Sequence, residues 1–182
     1  MPAEEMWDSF FKPLEILNRL ELINNSNDVV EFGSGYGTFS ITAASLISGN
    51  LYSIDIEKEM VELIQEKIKN KCISNIKVMQ RDFLAEGTGL KDNFVDYVMM
   101  FNILQTEEPE RLLREAYRLL QFGGKIGIIH WIHSADTPRG PSLDVRPTPE
   151  QCVKWLITSG FTIKDGEIDL PPYHYGIIGI KQ

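Results

Sequence analysis

The feature that most restricts this 182-residue chain is the stretch Val29-Val30-Glu31-Phe32-Gly33-Ser34-Gly35-Tyr36-Gly37-Thr38-Phe39-Ser40. It reads as a short buried strand, a glycine turn and the start of a helix that continues through Ile41, Ala43, Ala44, Leu46 and Ile47. Three glycines on alternate positions permit the positive φ angles of a tight strand-to-helix turn, and they let a bound molecule approach the backbone. The helix points its unpaired N–H groups at whatever lies over the turn. Glu31 ends the strand with a carboxylate beside that opening.

The rest of the chain repeats the theme. Strands are expected near residues 51–55, 76–79, 94–101 and 125–131, with helices between them. The amphipathic helix over 57–71 carries Met60, Val61, Leu63, Ile64 and Ile68 at helical spacing. Pro109 opens the next helix, and Gly123-Gly124 is expected to stop it. A Pro-rich segment over 133–147 is long for a loop in a compact domain, and such loops are often functional. Thr148-Pro149-Glu150-Gln151 reads as a capping box, and the helix it starts runs to Gly160. Two last strands, near 162–168 and 175–181, have no helix between them and pair as an edge hairpin around Leu170-Pro171-Pro172-Tyr173. Ahead of the first strand, residues 3–24 suggest two short helices separated by Pro13, then a polar turn from Asn24 to Asp28. The expected organisation is one domain over 1–182, with a helical cap (1–27) on an α/β core (28–182).

Composition narrows the function classes. An apolar fraction of 43% with 24% charged residues suits a globular domain, and no apolar run is long enough to cross a bilayer. The opening Met-Pro-Ala-Glu-Glu carries acids where a secretory signal carries Lys or Arg, so a cytoplasmic protein without a membrane partner is expected. A net charge of −8 argues against a nucleic-acid partner, which needs a basic surface. Cys72 and Cys152 fall in no metal or redox spacing and are expected to fill helix faces.

In a parallel sheet covered on both faces, ligands bind beyond the carboxyl ends of the strands. Collected there are Glu31 and the glycines, Asp55, Asp82-Phe83, Phe101-Asn102 and His130-Trp131. Asp55 at the second strand's end suits a ribose diol. A nicotinamide dinucleotide would use a similar acid, but its G-x-G-x-x-G pattern wants glycine where Thr38 stands, and Glu31 would oppose a pyrophosphate. An ammonium or sulfonium near Glu31 with a nucleoside near Asp55 fits the charges better.

On Glu31-Phe32-Gly33-Ser34-Gly35-Tyr36-Gly37, Ser53-Ile54-Asp55-Ile56-Glu57-Lys58-Glu59-Met60, Gln80-Arg81-Asp82-Phe83, Phe94-Val95-Asp96-Tyr97 and Leu112 to Gly124, the sequence resembles the class I S-adenosylmethionine-dependent methyltransferases. Within them it is most similar to the compact ubiquinone/menaquinone-biosynthesis-like branch. The resemblance implies a Rossmann-like three-layer α/β/α sandwich with a seven-stranded, mostly parallel sheet of order 3-2-1-4-5-7-6, strand 7 antiparallel. It implies S-adenosyl-L-methionine as cofactor and S-adenosyl-L-homocysteine as product. Gly33, Ser34, Gly35 and Gly37 would lie under the methionine moiety, and Glu31 would orient its amino group. Asp55 would bind the ribose, Ile56 would pack on adenine, Asp82 and the Phe83 backbone would meet the adenine amino group, and Phe101-Asn102 would close the far wall. The partner is then a small-molecule methyl acceptor. A non-catalytic cofactor-binding subunit or sensor is the alternative.

The acceptor side is less defined. His130 and His133 are candidate bases, weighed against histidines hydrogen-bonded to loop backbone. As a metal pair they fail, because residues three apart on a strand face opposite sides, so no metal is expected. Trp131, Arg139 and Arg146 are candidate acceptor contacts, the arginines suiting an acidic or phosphate-bearing molecule. Trp7, Phe10 and Phe11 read as core, with a cofactor lid as the other reading. Oligomeric state is not legible.

Overall fold

Two short helices, α1 (Glu4–Asp8) and α2 (Pro13–Arg19), precede an alternation of strands and helices. This is β1 (Val29–Phe32), α3 (Thr38–Leu46), β2 (Leu51–Asp55), α4 (Lys58–Lys71), β3 (Ile76–Gln80), α5 (Phe83–Glu86), β4 (Val95–Phe101) and α6 (Pro109–Leu119). β5 (Leu120–Trp131), a 3₁₀ turn (Leu143–Val145), α7 (Pro149–Thr158), β6 (Phe161–Leu170) and β7 (His174–Lys181) complete it. The computed structural model describes residues 3–22, 27–134 and 136–182. The expected polar turn at Asn24 to Asp28 therefore lies partly outside the described residues.

The strands form one sheet in the order β3-β2-β1-β4-β5-β7-β6, as expected. β7 runs antiparallel to both β5 and β6, and the other pairs are parallel. Successive strand residues face opposite layers. Val29 and Met99 pack with Leu17, Leu20 and Phe39 on one side, while Val30 and Met100 pack with Leu112, Leu113 and Leu156 on the other. Chain order reverses between β1 and β4, so the connections leaving their ends cover opposite faces and leave a crevice between them.

Two local expectations change. α6 ends at Leu119, and the chain runs as strand from Leu120 straight through Gly123-Gly124. There Leu120 already pairs with Val95, and a side chain on Gly124 would stand 2.8 Å from the Gln121 carbonyl, so the glycine serves a close backbone approach. Cys152 fills a buried helix face, but Cys72 is exposed and caps α4 in a left-handed conformation. The capping box is present: Thr148 Oγ1 accepts from Gln151 N, and Thr148 N donates to Gln151 Oε1 at 2.8 Å. Pro171 and Pro172 lie in the turn between β6 and β7, as an edge hairpin requires.

Candidate functional site

The glycine turn is fixed to the end of β2 by the residues the sequence singled out. Gly33, Gly35 and Gly37 adopt φ of +72°, +51° and +76°. Asp55 braces the turn, because Gly35 N donates to its Oδ2 at 2.7 Å and Glu57 N to its Oδ1 at 3.0 Å. A carboxylate oxygen has room for more than one donor, so both oxygens keep acceptor capacity toward the crevice. A Cβ on Gly33 would press on Ile103 at 2.9 Å.

Over the turn lies a cavity of about 250 Å³. Gly33, Ser34 and Gly35 form its floor, Glu31 and Asp55 supply carboxyl groups, and Phe101, Asn102 and Ile103 form the wall beyond β4. Two polar atoms of this lining, Ser34 Oγ and Asn102 Oδ1, are buried without a hydrogen-bond partner among the described residues. Buried polar groups are nearly always paired, so these two atoms leave unused hydrogen-bonding capacity in the cavity wall. Ile56 and Asp82 border a neighbouring cavity of about 400 Å³ instead. Asp82 also caps α5, its Oδ1 accepting from Leu84 N and Ala85 N. Gly37 lines neither cavity and is the N-cap of α3. Phe83 packs edge-on against Phe32 with ring centroids 5.2 Å apart.

Glu31 is only 3% exposed and has Ser40 Oγ hydrogen-bonded to its Oε2. Burial pushes its pKa up to about 8, the nearby Asp55 charge adds to the rise, and the Ser40 bond opposes it. The free cavity therefore holds a protonated acid beside Asp55. A cation placed there would favour the carboxylate.

The acceptor-side candidates do not gather around the cavity. His130 is 1% exposed, and burial lowers its pKa to about 3. It is sealed in the sheet with its ring centroid 6.3 Å from that of Tyr175, which removes it as a base at the crevice. His133 is exposed, with Nδ1 3.4 Å from the Arg146 carbonyl oxygen, the loop-backbone role weighed for it. Trp131 is buried against Phe10 and His174 rather than open to an acceptor. Arg146 is also buried, and its guanidinium donates to the carbonyls of Ile132, Ser134, Arg139 and Pro141 and to Thr137 Oγ1. It organises its own loop, which leaves it unsuited to an acidic acceptor. Arg139 is exposed, and the hydrogen bond it makes to this hub runs through its carbonyl. No group of three or more His, Cys, Asp or Glu among the described residues could hold a metal ion.

Trp7 of α1, for which core and lid were both weighed, lines the cavity, and the sequence reading missed Thr38, Glu57 and Met60 beside it. Thr38, noticed only for breaking the dinucleotide pattern, donates its hydroxyl to Asp8 Oδ1 at 2.6 Å and ties α1 to the turn. Lys67 makes a second tie, bonding Glu4 and the Tyr36 carbonyl. The available signal was the aromatic cluster Trp7, Phe10 and Phe11 ahead of the first strand. It reads more readily as core, and Phe10 and Phe11 are indeed buried.

Comparisons with known proteins give the family and the fold. A family model described as a methyltransferase domain matches residues 29–124, just over half of the chain. The chain is 28% identical over 95 residues to a demethylmenaquinone methyltransferase of Geobacillus sp. (strain WCH70), covering 52% of this chain and 40% of that protein. It is 26% identical over 126 residues to a ubiquinone/menaquinone biosynthesis C-methyltransferase of Citrobacter koseri, covering 67% of this chain and 49% of that protein. The chain thus spans less than half the length of these two relatives. In fold it is similar to a crystal structure of a SAM-dependent methyltransferase from Aquifex aeolicus, with a TM-score of 0.86 at 21% identity, covering 99% of this chain and 94% of that one.

Proposed function

Because this chain belongs to the class I S-adenosylmethionine-dependent methyltransferases, we propose that it binds S-adenosyl-L-methionine in the cavity over the glycine turn and methylates a small-molecule acceptor. The observation that carries the reading is one cavity joining a buried acid, a positive-φ glycine floor and a second acid at the end of the neighbouring strand. Those groups fit the cofactor's chemistry. Glu31 would take the ammonium, Asp55 the ribose hydroxyls, and the unpartnered Ser34 Oγ and Asn102 Oδ1 the polar atoms between. Ile56 and Asp82, in the neighbouring cavity, are assigned to the adenine.

When bound, the cofactor supplies a methyl group already activated by its sulfonium for in-line displacement. What remains for the protein is to bind, orient and exclude water, and proximity alone can supply much of the rate. The low polarity of the walls at Trp7, Phe39 and Phe101 serves that exclusion.

The test is thermal unfolding with S-adenosylmethionine, S-adenosylhomocysteine and NADH as separate additions. The first two should raise the melting temperature by several degrees and NADH should not. A shift with NADH alone would replace this reading with a dinucleotide site.

A further inference from the structure

A separate cavity of about 450 Å³ begins where the cavity over the glycine turn ends. Asn102 and Ile103 line the first, and residues 104–107 form one wall of the second. Residues 144–147, at the end of the Pro-rich loop, form another wall, and α7 closes it with Trp155. The two cavities share no lining residue. The loop wall is held by Arg146, whose guanidinium gathers five loop oxygens and lies 5.8 Å from the Trp131 ring centroid.

This second cavity offers hydrogen-bond acceptors and an aromatic plane. Gln105 Oε1 and Thr106 Oγ1 are buried without a hydrogen-bond partner among the described residues, and both residues line it. Glu107 and Asp144 add two exposed acids, and Trp155 supplies a half-buried indole. Arg146 is the only cationic side chain among the described lining residues, and its N–H groups are directed to the loop oxygens. An acceptor-only anion would leave the Gln105 oxygen unpaired. A ligand that donates N–H bonds, carries positive charge and has a flat apolar body matches every one of these groups.

Gln105 also joins this cavity to the cofactor site. Its Nε2 donates to the Asn102 carbonyl at 2.6 Å, while its Oε1 has no partner. Asn102 adopts φ of +57°, and its own unpartnered Oδ1 belongs to a residue of the cofactor cavity's wall. Thr106 and Glu107 border the neighbouring cavity assigned to adenine as well. We propose that the second cavity is an effector site for a small arylalkyl ammonium ion, whose N–H groups bond Gln105 and Thr106 while its ring lies on Trp155. Occupancy fixes the Gln105 amide at both ends and with it the turn at Asn102, so a filled effector site tightens cofactor binding. By linkage the cofactor tightens effector binding by the same factor. The inference rests on the methyltransferase reading above.

The experiment is titration calorimetry with 2-phenylethylamine, and with 2-phenylethanol as its uncharged counterpart, on the free and the S-adenosylhomocysteine-loaded protein. The amine should bind about fivefold more tightly than the alcohol, and Asp144→Asn should reduce that preference about twofold. Saturating amine should tighten S-adenosylhomocysteine about fivefold. Gln105→Leu, or Gln105→Met if the leucine variant does not fold, should bring that coupling below about twofold. No amine binding to the free protein, equal affinity for the alcohol, weakened S-adenosylhomocysteine binding, or coupling unchanged in the Gln105 variant would each overturn the proposal. Methylation of the amine by S-adenosylmethionine would overturn it too, because the amine would then be an acceptor. Failure of S-adenosylhomocysteine to bind at all would strike the cofactor reading, and the effector site would then be judged by the amine titration of the free protein.

Discussion

The two halves of the sheet's carboxyl edge treat their polar residues in opposite ways. At β1 and β2, Glu31 and Asp55 are held by local hydrogen bonds, and together with Ser34, whose hydroxyl is unpaired, they border an open cavity. At β5 and β7, His130 and His174 are sealed inside, and Arg146 is consumed by its own loop. Residue types with equal chemical promise thus face an open cavity in one half and are spent on the fold in the other. The first half is set by a turn and its adjoining strand, whereas the second is set by a loop folding back over a hairpin.

That contrast can be broken by experiment. Arg146→Ala should be the most damaging change, destabilising the protein by about 3 kcal/mol in urea unfolding, because five loop oxygens lose their donor. A loss below about 0.5 kcal/mol would mean the loop does not depend on it.

The histidines give a stability effect with a defined sign. Their folded pKa values of about 3 lie below the ordinary 6.5, so the unfolded chain takes up protons first as pH falls. Stability should decline from about pH 6.5 downward toward pH 3, and His174→Phe should remove part of the decline. Glu31 works in the other direction. Its folded pKa of about 8 lies above the ordinary 4.5, so its contribution is full below pH 4.5 and is lost as pH climbs to about 8.

The same proton should couple to the ligand. An ammonium beside Glu31 favours its carboxylate, so affinity for S-adenosylhomocysteine should rise about tenfold from pH 6.5 to pH 8, with a proton released on binding. Glu31→Gln should flatten that rise in calorimetry. A smaller effect is expected at the tie on α1: Thr38→Val removes one exposed hydrogen bond to Asp8 and should speed S-adenosylhomocysteine release about twofold in stopped-flow.

Much of the fold was legible because strand, turn and helix signals are local. The glycine turn, the capping box at Thr148 and the edge hairpin at Pro171-Pro172 all read correctly from a few adjacent residues. The end of α6 did not, because Leu120 pairs with Val95 on a distant strand and that pairing overrides the glycine stop signal. The candidate cofactor groups share this locality, since Gly35 and Asp55 meet through the pairing of consecutive strands. The acceptor side was not legible in this way. No pattern near Arg146 announces that its partners are its own loop carbonyls. His174 passed unnoticed because only β7's pairing with β5 brings it beside Trp131.

The most direct test of the central claim is titration calorimetry of S-adenosylmethionine into the wild-type protein and into Asp55→Ala. The account predicts one site of micromolar affinity in the wild type, weakened at least about tenfold in the variant by loss of the proposed ribose acceptor and the Gly35 brace. Equal affinity in the two proteins, or no heat at millimolar cofactor, would contradict it.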